Sequence, residues 1–249
     1  MTTTIQLEQR EAVAVLRLTN GPTNALSPAL VQEMRGAVAT SRQQAGAMLL
    51  CGGEKFFSMG LDLPALLSLN REDMAQFWQS FNQLILDIYT LPLPTISVLE
   101  GHAVAGGNIL ALSCDYRLAG SAPKKIGLNE IKLGLPLPLL ADLMLKQVVG
   151  ERVAAHMSYS GEFMSFQEAE QVGLVDGVHP GEELFDRALE QAGTLAGLQA
   201  KAFAGVKANR TETIRARYSQ QHQADDELFL DCWFSGPVQE ILREAARNF

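Results

Sequence analysis

Apolar positions along the chain fall into two alternating patterns. Around residues 12–18, 47–51, 95–99, 115–119 and 125–128 they cluster in short runs, which predicts buried strands. Elsewhere they recur three and four apart. Met74, Phe77, Trp78, Phe81, Leu84, Ile85 and Ile88 mark one face of a helix that Asn70 caps. Ser27-Pro28 opens another helix, running to about residue 44, with serine as cap and proline at the first helical position. Pro136 and Pro138 precede a helix over about 139–149, and Ser165-Phe166-Gln167-Glu168 is a capping box. From residue 182 onward the pattern is helical with few strand signals. Asn20-Gly21-Pro22, Gly52-Gly53, Pro92 and Pro94 punctuate the elements. Strands alternate with helices over residues 1–181, and a helical region follows over 182–249. The fold class is therefore α/β, with no internal repeat or linker.

Composition narrows the function classes. A chain of 249 residues, 47% of them hydrophobic, is large enough for a substantial core. A net charge of −8 argues against nucleic acid as the main partner. Cys51, Cys114 and Cys232 sit in apolar contexts without paired spacing and read as reduced thiols. His102, His156, His179 and His222 are scattered, so no metal site is expected. Residues 1–10 lack a basic head and an apolar core, and no window reaches eighteen apolar residues. The expectation is a cytoplasmic protein with no membrane partner.

Candidate chemistry lies in three segments. Ser58-Met59-Gly60-Leu61-Asp62-Leu63 and Gly101-His102-Ala103-Val104-Ala105-Gly106-Gly107-Asn108 are small-residue turns after apolar runs. Each offers backbone N–H groups that no bulky side chain guards. Two such donors can converge on one oxygen and stabilise charge developing there. The second turn is no phosphate-binding P-loop, because Asn108 and Ile109 stand where lysine and Ser/Thr should follow. A tight strand-to-helix turn is the simpler alternative. Ile126-Gly127-Leu128-Asn129-Glu130 adds a carboxylate. A loop glutamate is most often a solvated charge. Here Ile126, Leu128, Ile131, Leu133 and Leu135 surround it in sequence, which predicts a raised pKa suited to a base near neutrality. Asp62 and Asp115 read as turn and strand-end hydrogen bonders. Glu100 receives no role. No Gly-x-Ser-x-Gly elbow is present, which disfavours a serine hydrolase.

Taken in order, these segments resemble the enoyl-CoA hydratase/isomerase family, the crotonases. The resemblance runs through the Phe-Ser-x-Gly-x-Asp-Leu turn of residues 57–63 and the Gly-x-x-x-x-Gly-Gly turn. It continues through Cys114-Asp115-Tyr116-Arg117, Gly127-Leu128-Asn129-Glu130 with Gly134, and the Ala-x-x-x-Gly-Leu-Val-Asp run of residues 169–176. Within the family these motifs look most like the mitochondrial-type Δ3,Δ2-enoyl-CoA isomerases. The resemblance implies a crotonase-type ββα superhelix with an α-helical C-terminal region that oligomerises and covers the site. It implies an acyl-CoA thioester substrate, with coenzyme A as part of the substrate and no separate cofactor. A homotrimer or a dimer of trimers is implied as well. Carried over by position, Leu61 and Gly106 are the oxyanion donors and Glu130 is the base. Met59, Gly60, Asp62, Leu63 and Gly107 border the substrate. Trp78, Phe77 and Phe81 are core residues or line an acyl tunnel. Hydratases of the family carry a second glutamate where this chain has Ile109, so the resemblance favours a double-bond shift. Hydration, thioester hydrolysis, decarboxylation, or acyl-CoA binding without catalysis are the alternatives. A side chain at position 106 is expected to crowd the carbonyl and to demand an unfavourable φ.

Overall fold

The computed structural model describes residues 3–247. Its centre is two sheets wound together, and the winding follows from the short apolar runs. Strands β2 (Val13–Leu18), β3 (Ala47–Cys51), β5 (Thr95–Leu99) and β7 (Tyr116–Gly120) lie parallel, with Val13 opposite Ala47 and Ile96 opposite Tyr116. β1 (Ile5–Arg10) pairs antiparallel on one edge and β10 (Gly177–His179) parallel on the other, completing six strands. A short strand of the second sheet follows each of three central strands. These are β4 (Phe56–Ser58), β6 (His102–Val104) and β8 (Lys125–Gly127), with β9 (Met164–Ser165) antiparallel at the edge. A parallel neighbour needs a crossover. Helices α3 (Arg71–Tyr89) and α4 (Gly106–Leu112) supply two of them, which gives the ββα superhelix.

Burial on both faces explains the unbroken apolar runs. Successive side chains of a strand point to opposite faces. Val13, Val15, Leu49, Ile96 and Val98 face Leu184, Ala188 and Ala192 of α7 (Gly181–Ala196). Leu16, Met48 and Leu50 face the larger core with α3 and with α1 (Pro28–Gln44). Ser27 caps α1, its Oγ accepting from Leu30 N at 3.2 Å. Asn70 caps α3, accepting from Asp73 N at 2.9 Å. A short α2 (Leu63–Leu66) precedes it.

The helix expected to end near residue 149 instead continues as α5 (Leu139–Ser160), broken at Gly150, whose φ of 78° is not helical. The proline pair marks its start, and the glycine makes a kink rather than an end. The capping box is real: α6 (Phe166–Gln171) opens on Ser165 and Glu168. Arg117, 4% exposed, explains the late Gly-Leu-Val-Asp run. Its guanidinium donates to Leu174 O at 2.9 Å and to Asp176 Oδ2 at 3.1 Å, tying that run to β7.

The long α8 (Ala200–Trp233) and α9 (Gly236–Ala246) close the chain over the larger core. Buried Lys207 anchors α8, its Nζ donating to Asp115 Oδ2 at 2.7 Å and Leu93 O at 3.1 Å. Asp115 also accepts from Thr95 N at 2.9 Å, so it is a strand-end hydrogen bonder. A buried pair this fully bonded fixes where α8 docks more than it adds to stability. Among the described residues no helix is long and apolar enough to cross a membrane.

Candidate active site

The first turn leaves β4 under close restraint. Ser58 Oγ donates to Asn24 O at 2.8 Å and accepts from Gly60 N at 3.2 Å. Asn24 is itself in the left-handed region, with φ 45°, and its Nδ2 donates to Phe56 O at 3.2 Å. Gly60 has φ +92°, and a Cβ there would lie 3.0 Å from both Ala105 Cβ and Gly106 N. On either side of Leu61 the backbone is paired: Leu26 N donates to Gly60 O at 2.7 Å, and Asp62 N to Leu26 O at 3.2 Å. The Leu61 N–H donates to no backbone acceptor among the described residues. Asp62 caps α2, accepting from Ala65 N at 3.1 Å, which is the turn role its position suggested.

The second turn leaves β6 through Ala105. Its N–H donates to Gly127 O at 2.9 Å, which ties this turn to β8. Its carbonyl accepts from Asn108 N at 2.9 Å and Ile109 N at 3.1 Å, which opens α4. The Gly106 N–H, first in that helix, is left over. The unfavourable φ expected at Gly106 falls one residue earlier, on Ala105, with φ 50°. Gly106 is needed for space: a Cβ would sit 3.1 Å from Leu26 Cδ1, 3.3 Å from Gly60 Cα and 3.5 Å from Leu61 N. Those distances also bring the two free N–H groups onto facing stretches of backbone.

Glu130 begins a single 3-10 turn (Glu130–Leu133) closed by left-handed Gly134. It is 8% exposed, and its Oε2 is buried without a hydrogen-bond partner. Burial pushes its carboxyl up to about 7, against the smaller lowering effect of its own backbone N–H. Leu61, Gly106 and Glu130 line one cavity of about 230 Å³. Glu130 is the one carboxylate among the described residues that line it, and Ile109 stands in the wall as an apolar side chain.

Of the other residues expected around a substrate, Met59 and Leu63 line this cavity. Gly60, Asp62 and Gly107 are not among the residues that line it. Gly107 serves packing, since a Cβ there would fall 2.2 Å from Ser58 O, so only glycine lets α4 press on β4. Trp78 and Phe81 reach the wall, whereas Phe77 is buried away from it. Reading the sequence missed the Asn24–Ser58 brace, Phe163, and the contributions of Phe229 from α8 and Ala245 from α9. The helical spacing of Ile214 with Tyr218 and of Phe229 with Trp233 was the local sign of an inward face on α8. Among the described residues no group of three or more His, Cys, Asp or Glu side chains could hold a metal ion.

Comparison with known proteins adds independent findings. The family model described as enoyl-CoA hydratase/isomerase matches residues 8–242. Human mitochondrial enoyl-CoA delta isomerase 1 is 30% identical over 235 residues, covering 93% of this chain and 78% of that protein. A probable enoyl-CoA hydratase of Mycobacterium tuberculosis is 26% identical over 230 residues, covering 92% of this chain and 88% of its own. The crystal structure of human mitochondrial delta3-delta2-enoyl-CoA isomerase superposes with a TM-score of 0.94 at 28% identity, covering 98% of this chain and 97% of that one.

Proposed function

Because the chain belongs to the enoyl-CoA hydratase/isomerase family, we propose that its reaction on acyl-CoA is the shift of a double bond from position 3 to position 2. The thioester oxygen accepts hydrogen bonds from the N–H groups of Leu61 and Gly106. These donors stabilise the oxygen as it gains negative charge, and they need no reorganisation at that moment. The Glu130 carboxylate takes a proton from C2, and the electron pair spreads over a dienolate. The same carboxyl returns the proton to C4, leaving the double bond conjugated with the thioester. No electrons leave the substrate, so the reaction needs neither a redox cofactor nor a metal, and coenzyme A enters only as part of the substrate. A carboxyl at about 7 is matched to accepting and giving back a proton near neutral pH.

One observation carries the choice of reaction. Hydration places a water between two acid–base groups. Here Glu130 is the one carboxylate among the described lining residues, and Ile109 lines the same cavity as an apolar side chain. The test supplies 3-enoyl-CoA and 2-enoyl-CoA separately, following conjugated thioester absorbance in the first and its loss to hydration in the second. The expected result is rapid conjugation and little hydration. Hydration as fast as isomerisation would overturn the proposal.

A further inference from the structure

The cavity has an uneven wall. Its polar groups come from the two turns and the 3-10 segment. From α3 and α8 it receives only large aromatic rings. Trp78 and Phe229 stack with ring centroids 3.5 Å apart and planes 4° from parallel. Both line the cavity, and they are 2% and 1% exposed. The pair is supported on both sides: Phe81 lies 5.7 Å from Trp78, and Trp233 lies 5.8 Å from Phe229, fully buried. Four rings contributed by two helices leave no flexible side chain to swing aside. Stacked rings packed at interior density do not yield to an extra methylene without cost.

On the side of α3 and α8 the cavity ends on these rings, so an acyl chain lengthens freely only until it meets them. Resting on the acyl-CoA reading above, we propose that the Trp78–Phe229 pair is the acyl-length stop of this enzyme, and that it sets the longest acyl chain the cavity accepts.

The experiment measures binding of saturated butanoyl-, hexanoyl-, octanoyl- and decanoyl-CoA by calorimetry to the native protein and to Phe229→Ala and Phe229→Leu. Saturated thioesters cannot isomerise, so the measurement is independent of the reaction. In the native protein, affinity is expected to rise about fourfold per methylene as each is buried, and then to level or fall within this series once the chain meets the rings. In Phe229→Ala the rise continues to a longer chain than in the native protein. Phe229→Leu, a milder cut that preserves the fold if alanine does not, moves the break part of the way. A steady rise through decanoyl-CoA in the native protein overturns the stop. So does an unchanged break in a folded Phe229 variant. Failure to bind any of the four overturns both the stop and the acyl-CoA site. A break that moves in the Phe229 variants, without conversion of 3-enoyl-CoA, leaves the stop standing and removes the isomerase assignment alone. Conversion with no break does the reverse.

Discussion

Replacing Glu130 by glutamine should cost activity and add stability, with the gain depending on pH. In the folded chain the carboxyl rises from its ordinary 4.5 to about 7, chiefly because burial disfavours its charge. The unfolded chain releases that proton near 4.5, the folded chain near 7. Between those values the folded state binds more protons, so the native protein loses stability as pH rises across the window. At 1.36 kcal/mol per pH unit the full loss is about 3 kcal/mol above pH 7. Glutamine has no proton to lose. The variant should therefore match the native protein near pH 4 and exceed it by about 3 kcal/mol at pH 8.5. For a chain of this size that is roughly 6 to 12 °C in Tm. Removing a general base should also slow turnover by roughly two to four orders of magnitude. Urea unfolding at pH 4.5 and 8.5, with turnover of 3-enoyl-CoA measured beside it, checks both. A stability difference that is the same at the two pH values would refute the buried, unpaired carboxylate. Turnover within threefold of native would refute its role as base.

Two further predictions follow from the same geometry. The pH profile of kcat/KM for 3-enoyl-CoA should fall tenfold per unit below about pH 7 and be flat above it, because the base must be ionised and burial sets it near 7; a midpoint near 4.5 would contradict this. Leu61→Ala should be mild because that residue acts through its backbone, while Gly106→Val should lower kcat by about two to three orders of magnitude, measured on variants shown to be folded by circular dichroism. A folded Gly106→Val enzyme of normal activity would mean that the carbonyl is held elsewhere.

What could be read from the sequence follows the range of the forces involved. Caps act within one turn, so Ser27, Asn70 and Ser165 announced their helices. Strands buried on both faces announced themselves as apolar runs. β1 did not, because Ile5 and Leu7 alternate with polar residues on an exposed edge. β4 and β6 span three residues each, too short for any period, and read only as parts of turns, whereas β8 was legible in the apolar run of residues 125–128. Gly150 was not legible as a kink because a glycine after a helical run ordinarily marks its end, and the helix instead resumes beyond it. In the candidate site, Leu61, Gly106 and Glu130 were legible because motif spacing carries them. Phe229 and Ala245 were not, since only tertiary packing brings α8 and α9 to a cavity whose two turns lie more than a hundred positions earlier. The glycines were legible as necessary but not for their separate reasons. Gly60 needs its φ of +92°, Gly106 needs open space, and Gly107 needs contact with Ser58.

Several locally unfavourable features converge on this cavity. Ala105 holds a left-handed φ that alanine avoids. Two backbone N–H groups find no backbone acceptor among the described residues. Glu130 keeps a buried oxygen without a partner. Each lowers stability, and none is needed to wind the two sheets together. They persist because the surroundings over-determine them. Asn24 and Ser58 lock the first turn, the Ala105–Gly127 hydrogen bond joins the second turn to β8, and Gly107 lets α4 seat against β4. A core selected for stability alone would pair those N–H groups and replace Glu130 with leucine or glutamine. Local rules broken together on one cavity, inside a fold that obeys them elsewhere, are what a site for transition-state charge looks like. On the proposed reaction, donors left unpaired are already in place to meet an oxygen of growing negative charge. On the same proposal, a carboxyl left unpaired keeps the raised proton affinity that a base working near neutral pH needs.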